Sequence, residues 1–220
     1  MHETRWIFFD AADTLLRPEP SVANTYCSIA LEHGIETTVE TVKRRFAAGR
    51  LIYFCDERSS EQLDRERWQS LVLDVLQTDR IEVFDHLWDH FAKPTSWRLY
   101  EDVEPTWNAL LEGGFQLGIA SNFDARLLPI VKSLPPINAA KHVFYSSNIG
   151  FRKPSTMFFR AIEESLGIQN TDATLVGDSQ SADFEGAKQA GWNSIHLKRG
   201  EANPTWPVIS TLSDLQSIKP

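Results

Sequence analysis

Trp6-Ile7-Phe8-Phe9 is a continuous apolar run that stops abruptly at Asp10. An unbroken run of this length fits a strand buried on both faces of a parallel sheet, which leaves the carboxylate at the strand's C-terminal end. Further apolar runs at 115–120, 142–145, 174–176 and 194–197 alternate with helical stretches. That rhythm predicts an α/β fold built on a doubly wound parallel sheet, whose ligands bind beyond the carboxyl ends of the strands.

Residues 21–91 follow a different period. Apolar positions recur at helical spacing: Val22, Tyr26 and Ile29; Val39, Val42, Phe46 and Tyr53; Trp68, Leu71, Val72, Val75 and Leu76; Ile81, Phe84, Trp88 and Phe91. Four amphipathic helices are expected, the first ending near Gly34 and the fourth before Pro94. The second and third are expected to open with capping boxes at Thr37 with Glu40 and at Ser59 with Gln62. An all-helical insertion directly after the first strand can fold over the strand ends and exclude water. The expected division is a core of residues 1–16 and 94–220 and a helical cap of residues 17–93.

Composition narrows the classes. The chain's 220 residues, 42% hydrophobic and 24% charged, suit one core plus a small inserted unit. No apolar run approaches the roughly 20 residues of a membrane span. The N-terminal apolar run lacks a basic flank and a small-residue cleavage site, so a strand is expected there rather than a signal peptide, and residence in the cytoplasm. A net charge of −8 argues against nucleic acid as a partner. Cys27 and Cys55, both in stretches that read as helical, are too few for a disulfide framework or a four-ligand zinc site. The oligomeric expectation is a monomer or a small homo-oligomer.

Four polar sites stand at strand or loop ends. In Asp10-Ala11-Ala12-Asp13-Thr14, the Asp10 carboxylate can act as nucleophile or metal ligand, and the Thr14 hydroxyl can bond to it or to an anion; the segment also suits a simple turn. Ser121-Asn122 can bond phosphate oxygens, or can simply begin a helix. Lys153, in Phe151-Arg152-Lys153-Pro154, can lean toward the strand ends, although a lone lysine there is ordinarily solvated. Asp178, in Gly177-Asp178-Ser179, leaves a second buried strand and with Asp10 offers oxygen ligands for a magnesium ion. Asp183, one helical turn on, can hold the Lys153 ammonium or favour a helix end.

Taken in this order around a helical insertion, FFDAADTLL, IASNF, FRKPS and VGDSQSAD resemble the motifs of the haloacid dehalogenase superfamily. The resemblance covers about residues 5–197. It implies a Rossmann-like core with a helical cap of the C1 class and a hydrolase acting on a small phosphorylated substrate. It further implies that Asp10 attacks phosphorus, with Lys153 and Ser121 balancing charge, Asn122 touching the phosphoryl group or the cap, and Asp183 orienting Lys153 or a metal-bound water. Mg2+ would be held by Asp10, Asp178 and the backbone carbonyl of Ala12.

One departure bears on the chemistry. Family phosphatases usually carry an aspartate two residues after the nucleophile as general acid and base, and here that position is Ala12. Losing such a group costs roughly 10² to 10⁴ in rate. Asp13 stands where the family usually has glycine, so its side chain is expected to point elsewhere. Competing readings are a regulatory protein that keeps the fold without turnover, a carbon–halogen hydrolase, and a phosphonoacetaldehyde-type hydrolase. The last needs a cap lysine, and the surroundings of Lys43 do not resemble that enzyme's motif. Arg17, Arg44, Arg50 and Tyr53 are the cap-side candidates for substrate contact.

Overall fold

The computed structural model describes residues 5–217; residues 1–4 and 218–220, assigned above to the ends of the core, lie outside it. The chain runs β1 (Trp6–Phe9), β2 (Leu16–Pro18), α1 (Val22–Glu32), α2 (Val39–Tyr53), α3 (Glu61–Leu76), α4 (Ile81–Ala92) and β3 (Trp97–Leu99). It continues through α5 (Val103–Glu112), β4 (Gln116–Ser121), α6 (Leu127–Lys132), β5 (His142–Tyr145), α7 (Ser146–Ile149) and α8 (Thr156–Leu166). The last elements are β6 (Ala173–Gly177), α9 (Gly186–Ala190), β7 (Asn193–Leu197) and β8 (Val208–Ile209).

Six strands form a parallel sheet in the order β5-β4-β1-β6-β7-β8. The apolar run of β1 is buried at every position because the strand is central, paired with β4 on one side and β6 on the other. Its alternation feeds two cores. Ile7 and Phe9 join Trp107, Leu110 and Ile130 on one face. Trp6 and Phe8 join Phe158, Phe159 and Trp192 on the other. The reversal of strand order at β1 puts a crevice beside Asp10.

The four expected helices are present and bury a core of their own, with Val42, Leu71, Val75, Phe84 and Leu87 fully enclosed. Gly34 ends the first in the left-handed region at φ 72°. Two caps sit one residue later than expected. Thr38 accepts the amide of Thr41, and Ser60 accepts that of Leu63. Ser59 is instead drawn inward by Asp64, its hydroxyl donating to Oδ2 at 2.5 Å. Cys27 is half-buried, whereas Cys55 falls in the loop after α2, exposed and outside any helix.

Short polar runs hid two features from the sequence. β2 and β3 pair antiparallel, with Leu16 opposite Leu99 and Pro18 opposite Trp97, and so tie both ends of the insertion together. The loop between α2 and α3 also docks on the segment before Lys153: the Arg152 amide donates to the Glu57 carbonyl at 2.8 Å and the Ser59 amide to that of Gly150 at 3.0 Å. The insertion is thus pinned to the sheet at two separated places.

Phe8 packs directly over Gly118, where an added Cβ would lie 2.5 Å from its ring. Gly118→Ala should destabilise the protein by about 1–3 kcal/mol through overpacking. Urea unfolding of this variant checks the expectation, the midpoint shifting while the slope stays constant.

Candidate active site

Asp10 follows Phe9 at the end of the central strand, its amide still in the ladder through a 2.9 Å bond to the Val176 carbonyl. Alternation directs its side chain to the face of Trp6 and Phe8, the face from which Lys153 arrives. The Lys153 ammonium donates to Asp10 Oδ1 at 2.7 Å, Asp183 Oδ1 at 2.6 Å and the Ala120 carbonyl at 2.7 Å. These three bonds use all its hydrogens. The residue is only 2% exposed, and burial alone would push the ammonium down, but Asp10 and Asp183 outweigh it and hold the group above the usual lysine range. Sequence reasoning could suggest this lysine's direction but not its complete burial.

Asn122 does something other than face a phosphate. Its side-chain amide donates to the Lys153 carbonyl at 2.9 Å and its oxygen accepts the Lys153 amide at 2.7 Å. This two-point clasp holds the lysine's backbone against the end of β4. Thr14 likewise departs from expectation. Its hydroxyl is fully buried and donates to Asp178 Oδ1 at 3.1 Å while accepting the Asp178 amide. With both directions engaged, Thr14 positions Asp178 and does not point to an anion. Ser121 is the last residue of β4 rather than the first after it, and it lines the cavity beside Asn122.

Asp10, Asp178 and Asp183 each offer a carboxylate oxygen within 4.8 Å of the others. Burial first, then Asp10, Asp183 and Asp13, raise Asp178 to about 7, against the pull of the Thr14 hydroxyl. Burial also pushes Asp183 up against the pull of Lys153, while the Ser179 amide anchors its Oδ2 at 3.0 Å. That approach requires glycine at 177, since a Cβ there would fall 2.3 Å from the Asp183 carboxylate. The hard oxygen donors and their crowding fit a divalent cation such as magnesium. Among the described residues no hydrogen bond uses the Ala12 carbonyl, which leaves that oxygen available as a further ligand.

Several supports were invisible in the sequence because they join distant segments. Arg199 forms a bidentate pair with Asp102 and donates to the Thr14 carbonyl at 2.7 Å, bracing the loop after β1. His196 Nε2 donates to the Asp178 carbonyl at 3.0 Å. Asp13 adopts a left-handed conformation, φ 63°, tolerable for aspartate, and it lines the cavity rather than turning away from it.

The cavity holds about 670 Å³ and is walled by both the sheet and the insertion. Of the four cap-side candidates for substrate contact, Arg17 and Arg50 line it; Arg44 and Tyr53 do not. On α2 the inward face carries Phe46 and Arg50, four residues apart, whereas Arg44 is turned to solvent and Tyr53 packs beside Gly49.

The family model described as haloacid dehalogenase-like hydrolase matches residues 4–191. The chain belongs to that family. A mouse (Mus musculus) protein named haloacid dehalogenase-like hydrolase domain-containing protein 3 is 28% identical over 96% of this chain and 87% of its own length. A phosphoglycolate phosphatase of Vibrio vulnificus is 27% identical over 90% of this chain and 85% of its own. The crystal structure of a phosphatase of the family from Thermococcus onnurineus superposes with a TM-score of 0.69 at 21% identity, covering 97% of this chain and 96% of that one, and shares the fold. Family membership, the α/β fold and phosphatase-named homologues therefore agree with what the four motifs implied. Among the described residues no helix is long and apolar enough to cross a membrane.

Asp178 has a measurable signature in metal-free protein. Its folded value, near 7, lies above the ordinary aspartate value of 3.8, so between those limits the folded state binds more protons than the unfolded state. Stability then falls as pH rises from about 4 to about 7 and levels off above. Denaturant titrations in chelator across this range should show the decline, and Asp178→Asn should make it shallower, the raised Asp183 and Asp13 carboxyls keeping part of it.

Proposed function

We propose that this haloacid dehalogenase-like hydrolase is a magnesium-assisted phosphatase acting on a small phosphorylated metabolite by way of an aspartyl-phosphate on Asp10. The reading is carried by one observation: a carboxylate at the end of the central strand, fixed by a buried ammonium, stands within a ring of three carboxylates. Asp10 and Asp178, with the Ala12 carbonyl, would hold the ion. When bound, magnesium supplies positive charge that offsets the carboxylates and polarises the phosphoryl oxygens.

The chain's own groups account for the rest. An Asp10 oxygen forms a bond to phosphorus as the bond to the ester oxygen breaks, and the departing oxygen takes its proton from solvent. Water then attacks phosphorus, the bond to Asp10 breaks, phosphate leaves and the carboxylate is restored, with the water's proton passing to solvent. Lys153 neutralises Asp10 before attack, Ser121 offers a hydroxyl to a phosphoryl oxygen, and Asp183 keeps the ammonium aimed. The helical insertion acts as the cap that encloses the substrate. Residence in the cytoplasm accompanies a phosphorylated metabolite as substrate.

Ala12 lines the cavity and has no proton to give or take. Leaving groups that need little protonation, such as acyl and aryl oxyanions, are therefore favoured over alkoxides. The same residue favours a second reading, a regulatory protein that binds the ion and a phosphorylated ligand without turnover. The intact carboxylate ring argues against carbon–halogen hydrolysis, which has no use for a metal site.

Two measurements test this reading. Calorimetric titration should show magnesium binding lost in Asp178→Asn; wild-type affinity there would remove the metal assignment. Ala12→Asp should raise phosphatase turnover by about one to three orders of magnitude, because it restores a proton-transfer group in a pocket not shaped for it. A folded, magnesium-bound Ala12→Asp protein that gains nothing on aryl or alkyl phosphates would shift the conclusion to the regulatory reading.

A further inference from the structure

Among the arginines that line the cavity, Arg152 is the buried one for which the site as described gives no role. It is 7% exposed, yet among the described residues its guanidinium makes no hydrogen bond or ion pair, and its buried Nη1 has no partner. Its guanidinium lies over the Phe54 ring, whose centroid is 4.5 Å away, and it feels the Asp64 and Asp56 carboxylates only at longer range. The nearest acids are already engaged. Asp64 accepts from Ser59 and Arg67, and Asp56 faces Arg67 at 3.6 Å. Burial, the main cause, lowers the guanidinium to about 10, opposed by the nearby Asp64 and Asp56 carboxylates and reinforced by Arg67 and Arg50, so it stays charged at neutral pH.

A buried charge without a partner is costly, and such a group is ordinarily completed by an acceptor. An acceptor can reach the rest of the guanidinium from the cavity, which Arg152 lines together with Asp10, Lys153 and Arg50. On the phosphatase reading the phosphoryl group is already served by the Ser121 hydroxyl and by the charge of Lys153, one residue on from Arg152. Much of the remaining wall is aromatic, with ten aromatic side chains, Phe54, Trp68 and Trp88 among them, and a volume of about 670 Å³ far exceeds one phosphate. Such a lining suits a flat apolar body with a few fixed polar points.

We infer that the substrate is an aryl monophosphate carrying a second anionic group, such as a carboxylate, which Arg152 receives across the cavity from the reacting phosphate. The inference rests on the phosphatase reading and adds the chemistry of the leaving group. An aromatic leaving group also suits a site in which residue 12 cannot protonate it. Arg152 acts here by binding, its planar fork matching a carboxylate at two points.

The test uses non-hydrolysable probes on the whole protein with magnesium present: benzylphosphonate and 4-carboxybenzylphosphonate, measured by calorimetry. Wild type should prefer the carboxylated probe by about 10- to 100-fold, the range of one charge-assisted hydrogen-bonded contact. Arg152→Met keeps packing over Phe54 and removes the charge; it should abolish the preference while benzylphosphonate binding stays within about twofold. Arg152→Lys, which retains charge without the fork, should keep part of the preference and serves if the Met variant does not fold. Equal binding of both probes by wild type, or an undiminished preference in folded Arg152→Met, would overturn this inference and leave the phosphatase reading standing. Failure of wild type to bind either probe would instead count against the phosphatase reading on which it rests.

Discussion

The three hydrogen bonds of the Lys153 ammonium are the constraint around which the site is arranged. An ammonium removed from water must be surrounded by acceptors, and here they come from the loop after β1, the end of β4 and the turn after β6. One point charge thereby joins three neighbouring segments at the open end of the sheet. It also explains the burial of Asp183, which without Lys153 would be an uncompensated carboxylate beside Asp10. Gly177 follows from the same demand, because nothing larger admits Asp183 to its place. Asp10 is fixed in position by the contact that balances its charge, so under the proposed mechanism little reorganisation would be left for its attack on phosphorus.

What the sequence made legible was whatever is encoded locally. The unbroken run of β1, the helical period of α1 to α4 and the acids that end β1 and follow β6 are each written in consecutive residues, and the structure has them there. Helix caps were legible only to within one residue, since Thr37 and Thr38, like Ser59 and Ser60, offer the same chemistry in adjacent positions. The decision fell to tertiary contacts: Asp64 takes Ser59 inward, and Ser60 is left to cap. Thr14 and Asn122 were recognised as polar residues at strand ends, but their partners lie 164 and 31 positions away. No local pattern records that each spends its side chain on positioning a neighbour. Arg152 and the bracing pair Arg199 with Asp102 were missed for the same reason.

Ala12 separates two requirements that usually travel together in this family. Under the proposed mechanism, fixing the nucleophile and balancing charge would depend on Lys153, Asp178 and Asp183, which are present with their supports. Moving a proton to the leaving group depends on one carboxyl, which is absent. The first requirement would be met by preorganised electrostatics and the second by acid–base chemistry, which rest on different side chains. A chain can therefore lose the second without disturbing the geometry of the first, provided that its substrate departs as a stable oxyanion. The chemical character of the leaving group then becomes part of how the site functions.

The insertion is coupled to this geometry through the backbone. The Glu57 carbonyl, in the loop between α2 and α3, accepts the amide of Arg152, and the next residue is Lys153 with both backbone polar groups clasped by Asn122. The same loop places Phe54 against the Arg152 guanidinium. At the opposite side the β2 and β3 ribbon leads from the loop after β1 directly into the helices. The insertion thus touches the segment carrying Asp10 and the segment carrying Lys153, and a shift of one end relative to the other alters the separation of the two side chains. Because a 2.7 Å charge-assisted bond tolerates little stretching, the seating of the helices and the alignment of the reacting groups are set by one and the same arrangement.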